Sequence, residues 1–118
     1  MSKYGNRKKE VDGYTFDSLA EAARYQELCL LEAAGEIGML KVHPRYELQP
    51  AFTDASGKRQ RAITYEADFE YQDRSEIVWR TVVEDVKGGR GTQTAVFKLK
   101  AKLFRFKYPQ LCFEVVER

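Results

Sequence analysis

Val82-Val83-Glu84-Asp85-Val86-Lys87-Gly88 is the stretch on which the fold turns. Valine at this density favours a strand, and the glycines at 88 and 89 end it. Side chains at i and i+2 of a strand share a face. Asp85 and Lys87 therefore project together, on a face shared with Val83, Thr81 and Trp79, while Glu84 projects the other way. Desolvating a carboxylate or an ammonium costs free energy, so a charged pair at the end of a largely apolar surface needs a reason. One reason is a cross-strand ion pair. Another is metal-dependent phosphodiester chemistry, with Asp85 holding a divalent cation and Lys87 steadying the attacking water or the phosphate. The triplet alone does not choose between them.

Upstream, Ile77 to Lys87 reads as one strand, and Ile63 to Tyr71 as another. In the latter, Ile63, Tyr65, Ala67, Phe69 and Tyr71 alternate with Thr64, Glu66, Asp68 and Glu70. Asp73-Arg74-Ser75 turns the chain between the two strands, which should pair antiparallel. Asp68 lies five positions before Asp73 and Asp85 twelve after it. A flat, tight hairpin would not set these carboxylates opposite each other; a bulge, a bend or a longer loop would. Before Ile63, Arg45 to Phe52 alternates loosely as a first strand, and Thr53 to Lys58 is turn chemistry.

Downstream, Gly88 to Gly91 is a flexible connection, and Thr92 to Lys107 reads as a helix. Its expected buried stripe is Thr92, Ala95, Val96, Leu99, Leu103 and Phe106. Lys98, Lys102 and Arg105 form a row on a neighbouring face, which is either a solvated surface or a track for phosphates. Tyr108-Pro109 stops the helix, and Leu111 to Val116 is a last strand, parallel to a neighbour because a helix crosses over to reach it.

Toward the N-terminus, Ser18-Leu19-Ala20-Glu21 matches a capping box and opens a helix that Gly35 ends. Leu19, Ala22, Ala23, Gln26, Leu30 and Ala33 recur at helical spacing as its expected buried stripe. Glu21 has two readings, a capping side chain and a carboxylate held near a metal by the first helical turn, and the two are compatible. Residues 1–12 read as a flexible basic arm before a single domain over 13–118, with Tyr14 to Phe16 a strand stub or hydrophobic entry. Ile37 and Leu40 dock a connecting turn, and His43, beside Pro44, reads as a surface or structural residue.

Composition narrows the class. A chain of 118 residues accommodates one compact domain, and 43% hydrophobic with 32% charged residues is a globular balance. No apolar run reaches the length of a membrane span and no hydrophobic signal segment opens the chain, so the expectation is a cytoplasmic protein without a membrane partner. One histidine and two cysteines do not build an ordinary zinc site, and Cys29 and Cys112 read as small core residues. The net charge of +2 is unevenly spread, with basic groups at Lys3 to Lys9, Lys58 to Arg61 and Lys98 to Lys107, as a polyanion partner would favour.

The expected order is helix, strand, strand, strand, helix, strand. With Glu21 in the first helix, Asp68 in the second strand and Asp85-Val86-Lys87 in the third, it resembles the PD-(D/E)XK nuclease superfamily over residues 14–117. It is most similar to the small phage- and prophage-borne members, and in size and layout to archaeal-type Holliday junction resolvases. The resemblance implies an α/β fold with a restriction-endonuclease-like core, a mixed four-stranded sheet flanked by helices. It implies Mg²⁺, with Mn²⁺ as a substitute, held by Asp68, Asp85 and Glu21, with Lys87 completing the catalytic set. DNA is the implied partner, contacted by Lys98, Lys102, Arg105, Gln93 and Arg90, with a homodimer where two strands are cut symmetrically. For a phage-encoded member the compartment is the host cytoplasm. Gln93 and Phe97 resemble a Gln/Tyr pair of exonuclease-type members, with Phe in place of Tyr. Motif one lacks its proline, since Ala67 precedes Asp68. Glu84 beside Asp85 leaves two registers for the acidic residue, and only Asp85 has the i, i+2 spacing to Lys87.

Overall fold

The computed structural model describes residues 7–88 and 93–118. The chain opens with a hairpin of β1 (Lys9–Val11) and β2 (Tyr14–Phe16), so Lys9 to Val11 is a strand rather than part of a flexible arm. Its two-residue loop is Asp12-Gly13, with φ of 53° and 84°. A left-handed pair of this kind matches the twist of the flanking strands and suits Asp-Gly. The Tyr25 hydroxyl donates to Asp12 Oδ2 at 2.8 Å and ties the hairpin to the following helix.

Helix α1 (Leu19–Ala33) begins where the capping box predicts: Glu21 N–H donates to Ser18 Oγ at 3.1 Å. It ends in a Schellman motif, with Gly35 N–H donating to Glu32 O and Glu36 N–H to Leu31 O, both at 3.0 Å. The expected buried stripe is rotated, however. Glu21, Ala22, Tyr25 and Leu28 face inward, and Leu19 and Leu30 face solvent. Tyr25 sets this phase, because its ring lies 5.1 Å from Phe16 and 6.4 Å from Phe69.

Next come β3 (Ile37–Val42), β4 (Arg45–Gln49), β5 (Phe52–Thr53), β6 (Arg59–Gln60), β7 (Ile63–Glu66), β8 (Phe69–Asp73) and β9 (Arg80–Lys87), then α2 (Ala95–Lys107) and β10 (Cys112–Glu117). The main sheet is mixed and four-stranded, in the order β10-β9-β8-β3. As expected, β10 runs parallel to β9, and β8 and β9 are antiparallel. Ile37 and Leu40 do not dock a turn; they belong to β3, the edge strand paired with β8. Arg45 to Phe52 does not supply the sheet's first strand: β4 pairs with β7 outside the sheet, and Phe52 belongs to the separate β5–β6 hairpin. The elements that build the sheet layer still follow the order α1, β3, β8, β9, α2, β10.

The expected Ile63 to Tyr71 strand is broken at Ala67-Asp68. In an unbroken strand its odd-numbered residues would share one face. Instead Tyr65 and Ala67 pack with Val83 and Phe104, while Phe69 and Tyr71 pack with Phe16, Leu28, Val82 and Val86. The chain passes from the α2-side core to the α1-side core at Asp68. In β9, Val82 and Val86 likewise face the α1 side and Val83 the α2 side.

Helix α2 is capped by Thr94, whose Oγ1 accepts Phe97 N–H at 3.0 Å. Its buried residues are Ala101 and Phe104, with Phe97 packed beside them. The expected stripe of Ala95, Val96, Leu99, Leu103 and Phe106 is exposed, and Thr92 lies outside the described residues. Aromatic packing decides the phase: the Phe104 ring lies 4.9 Å from Tyr46, 5.3 Å from Phe113 and 5.8 Å from Tyr65. No described helix is long and apolar enough to cross a membrane.

Candidate metal centre

The link between β8 and β9 is Arg74 to Trp79, longer than the tight turn expected from Asp73-Arg74-Ser75. Ile77 and Val78 are exposed in that link rather than paired in a strand. The register is therefore symmetric about the longer loop: Asp73 faces Arg80 and Phe69 faces Glu84. One step further, Asp68 comes opposite Asp85. Two hydrogen bonds fix it there, Asp68 N–H donating to Glu84 O at 3.0 Å and Val86 N–H donating to Asp68 Oδ2 at 2.6 Å. These bonds grip the backbone on either side of Asp85, so the long loop supplies the geometry that a tight hairpin could not.

Glu21 reaches Asp68 from the first turn of α1. It is 7% exposed, and its backbone is capped by Ser18 while its side chain meets the Asp68 carboxyl. Burial, then the hydrogen bond to Asp68, pushes the Glu21 carboxyl up to about 9. Two negative charges are therefore disfavoured at this pair of carboxyl groups. Burial also raises Asp68, against the lowering effect of the hydrogen bonds from Glu21 and from Val86 N–H.

Asp85 is buried and has a partner on each oxygen. Lys87 Nζ lies 3.0 Å from Oδ1, and the Tyr65 hydroxyl donates to Oδ2. Burial, then that hydrogen bond, raises the Tyr65 phenol and keeps it protonated. The Lys87 ammonium also sits 3.9 Å from the Phe97 ring centroid, a cation–π contact that holds the N-terminal turn of α2 against the site. Glu21, Asp68 and the Asp85–Lys87 pair thus converge from three places in the chain.

The expected nucleic-acid contacts are more dispersed. Lys98, Lys102 and Arg105 are exposed along α2, with the Arg105 guanidinium 4.8 Å from the Phe113 ring centroid. Gln93 is partly buried just before the Thr94 cap, and Arg90 lies outside the described residues.

Three features were missed from sequence. Glu84 projects away from Asp85 as expected, but it is 0% exposed: Arg24 donates to its two oxygens at 2.9 and 2.6 Å, and the Tyr71 hydroxyl donates as well. Tyr65 reaches Asp85 across a separation of 20 residues, which no local pattern announces. His43 places a nitrogen among the carboxylates of Glu21 and Asp68, with the three donor atoms all within 4.8 Å of one another. Its signal was available only as the chain's single histidine, which adjacency to Pro44 made easy to set aside.

Carboxyl groups brought together at a partly buried point suit a divalent cation, and oxygen donors suit Mg²⁺ or Mn²⁺. No curated protein and no solved structure is significantly similar to the chain. The sequence matches one family over residues 1–118, and the chain belongs to that family, described as a protein of unknown function (DUF1064).

Proposed function

We propose that this chain is a metal-dependent endonuclease that hydrolyses DNA phosphodiester bonds, with branched DNA such as a Holliday junction as its candidate substrate in phage recombination or repair. The observation that carries this reading is the placement of Asp68 opposite Asp85, with Glu21 against the first and Lys87 3.0 Å from the second. The likeness to PD-(D/E)XK nucleases supports it from sequence.

In this account Asp68 and Glu21 would hold the cation, with Asp85 beside them. Mg²⁺ or Mn²⁺ held there would supply a bound water of lowered pKa and would offset charge developing on the phosphoryl group. Lys87, 3.0 Å from Asp85 Oδ1, would donate to the attacking water or to a phosphate oxygen. Tyr65 fixes the Asp85 carboxylate so that Lys87 is held in one direction. Lys98, Lys102 and Arg105 offer the backbone a cationic path along α2. Symmetric cutting of a branched duplex carries a homodimer with it.

A second reading is a non-catalytic nucleic-acid-binding or structural phage protein that retains the fold. It is favoured by one observation: both Asp85 oxygens already have protein partners, as in a structural ion pair. Labelled four-way junctions, flaps and linear duplexes, incubated with Mg²⁺, with Mn²⁺ and with a chelator, separate the two readings. The endonuclease reading predicts cation-dependent cleavage that falls by about 100-fold or more in Lys87→Ala, the scale of losing one charge-stabilising donor. Absence of cleavage under every condition favours the second reading.

A further inference from the structure

We infer that His43 is a nitrogen ligand of the same cation centre, and that it tunes the centre toward Mn²⁺ and similar transition ions over Mg²⁺. The inference rests on the cation-centre reading above and adds a donor that the resemblance does not supply. Three separate places in the chain build the triangle: the first turn of α1, the residue after β3, and the link before β8. His43 is pinned there by its backbone, since its N–H donates to Asp68 O at 2.9 Å and Ala67 N–H donates to Pro44 O at 3.0 Å. Its φ of 55° is left-handed, a conformation that histidine tolerates better than most side chains. The imidazole rests on the buried Phe16 ring at a centroid distance of 5.6 Å, which orients the ring.

Donors bonded at about 2.0–2.2 Å to a first-row ion lie about 3 Å apart when adjacent and about 4.2 Å apart when opposite. A triangle within 4.8 Å therefore closes on an ion with small side-chain movements. A separate observation also points to a cation: Glu21 is 7% exposed and has a carboxylate oxygen within 4.8 Å of one from Asp68, so two acidic side chains from distant parts of the chain face each other at a partly desolvated point. Asp85 lies beside this triangle, engaged with Lys87 and Tyr65. An all-oxygen set suits Mg²⁺, whereas a neutral imidazole shifts preference toward transition ions.

The test uses MnCl₂ and MgCl₂ on the full chain, as wild type, His43→Asn and His43→Gln. Asparagine accommodates the left-handed backbone, and circular dichroism checks that each variant folds. Pulsed electron paramagnetic resonance of bound Mn²⁺ should show imidazole ¹⁴N coupling in wild type and none in His43→Asn. Mn²⁺ affinity should fall by about tenfold or more in the variants, the scale on which changes to metal-site partners act. Mg²⁺ affinity should change by less than about threefold. Bound Mn²⁺ without nitrogen coupling in wild type, or unchanged Mn²⁺ affinity in folded His43→Asn, overturns the inference and leaves the cation centre standing. No binding of either ion to wild type overturns both.

Discussion

Glu84 and Asp85 are neighbours in sequence, and the pleat sends them to opposite sides of β9. Glu84 enters the α1-side core, where Arg24 and Tyr71 satisfy it, and its burial follows from those partners. Removing one partner of such a pair leaves a buried charge without compensation. Arg24→Leu should therefore destabilise the fold by roughly 3–5 kcal/mol, measured by urea denaturation. Adding Glu84→Gln should recover part of that loss, because the amide is uncharged and still accepts from Tyr71. A loss below about 0.5 kcal/mol in Arg24→Leu would show that the pair is not buried as described. From sequence, the i, i+2 rule was enough to separate Glu84 from Asp85. It could not assign Arg24 to Glu84, because that contact spans 60 residues and depends on the phase of α1.

Both helices were legible in extent and misread in rotation, for the same physical reason. Counting apolar residues at helical spacing favoured Leu19 and Leu30 in α1, and Val96, Leu99, Leu103 and Phe106 in α2. Aromatic contacts with the sheet instead turned Tyr25 and Phe104 inward. In α1 that rotation also brings Glu21 and Arg24 to the sheet, so the phase of the helix and the construction of the site are one event. Helix α2 is apolar on two sides, and the outer side remains open above a groove lined by Leu48, Ile63, Leu103 and Phe106. Phe104→Ala should cost roughly 3–5 kcal/mol, and Leu99→Ala, being exposed, about 0.5 kcal/mol or less. Thermal or chemical denaturation decides the matter, and equal losses would contradict the described rotation. The caps were legible because Ser18-x-x-Glu21 and Gly35 act locally. The Asp12-Gly13 turn carried an equally local signal that a basic, polar N-terminus obscured. The break at Ala67-Asp68 had no local signal, because it arises when β7 joins one core and β8 the other.

At the scale of the whole molecule, the expected mixed four-stranded sheet and its order of elements along the chain match the structure, while its first strand was located too late, in the β4–β7 arm rather than at β3. The pairing of Asp68 with Asp85 was left open because it depended on a loop length that only the tertiary register reveals. The uneven charge leads to a further prediction. If DNA phosphates lie along α2, the slope of log affinity against log salt for a duplex should shrink by roughly 2–3 when Lys98, Lys102 and Arg105 are all changed to Ala. Fluorescence anisotropy across a salt series measures this, and an unchanged slope would place the DNA elsewhere. The central claim is that Glu21 and Asp68, with Asp85 beside them, form a divalent-cation centre. Calorimetric titration of Mn²⁺ and Mg²⁺ into wild type and Asp68→Asn tests it most directly, since asparagine retains an acceptor for Val86 N–H and removes the charge. The account predicts saturable binding to wild type that is lost in Asp68→Asn; equal binding to both proteins, or none to wild type even with DNA present, would contradict it.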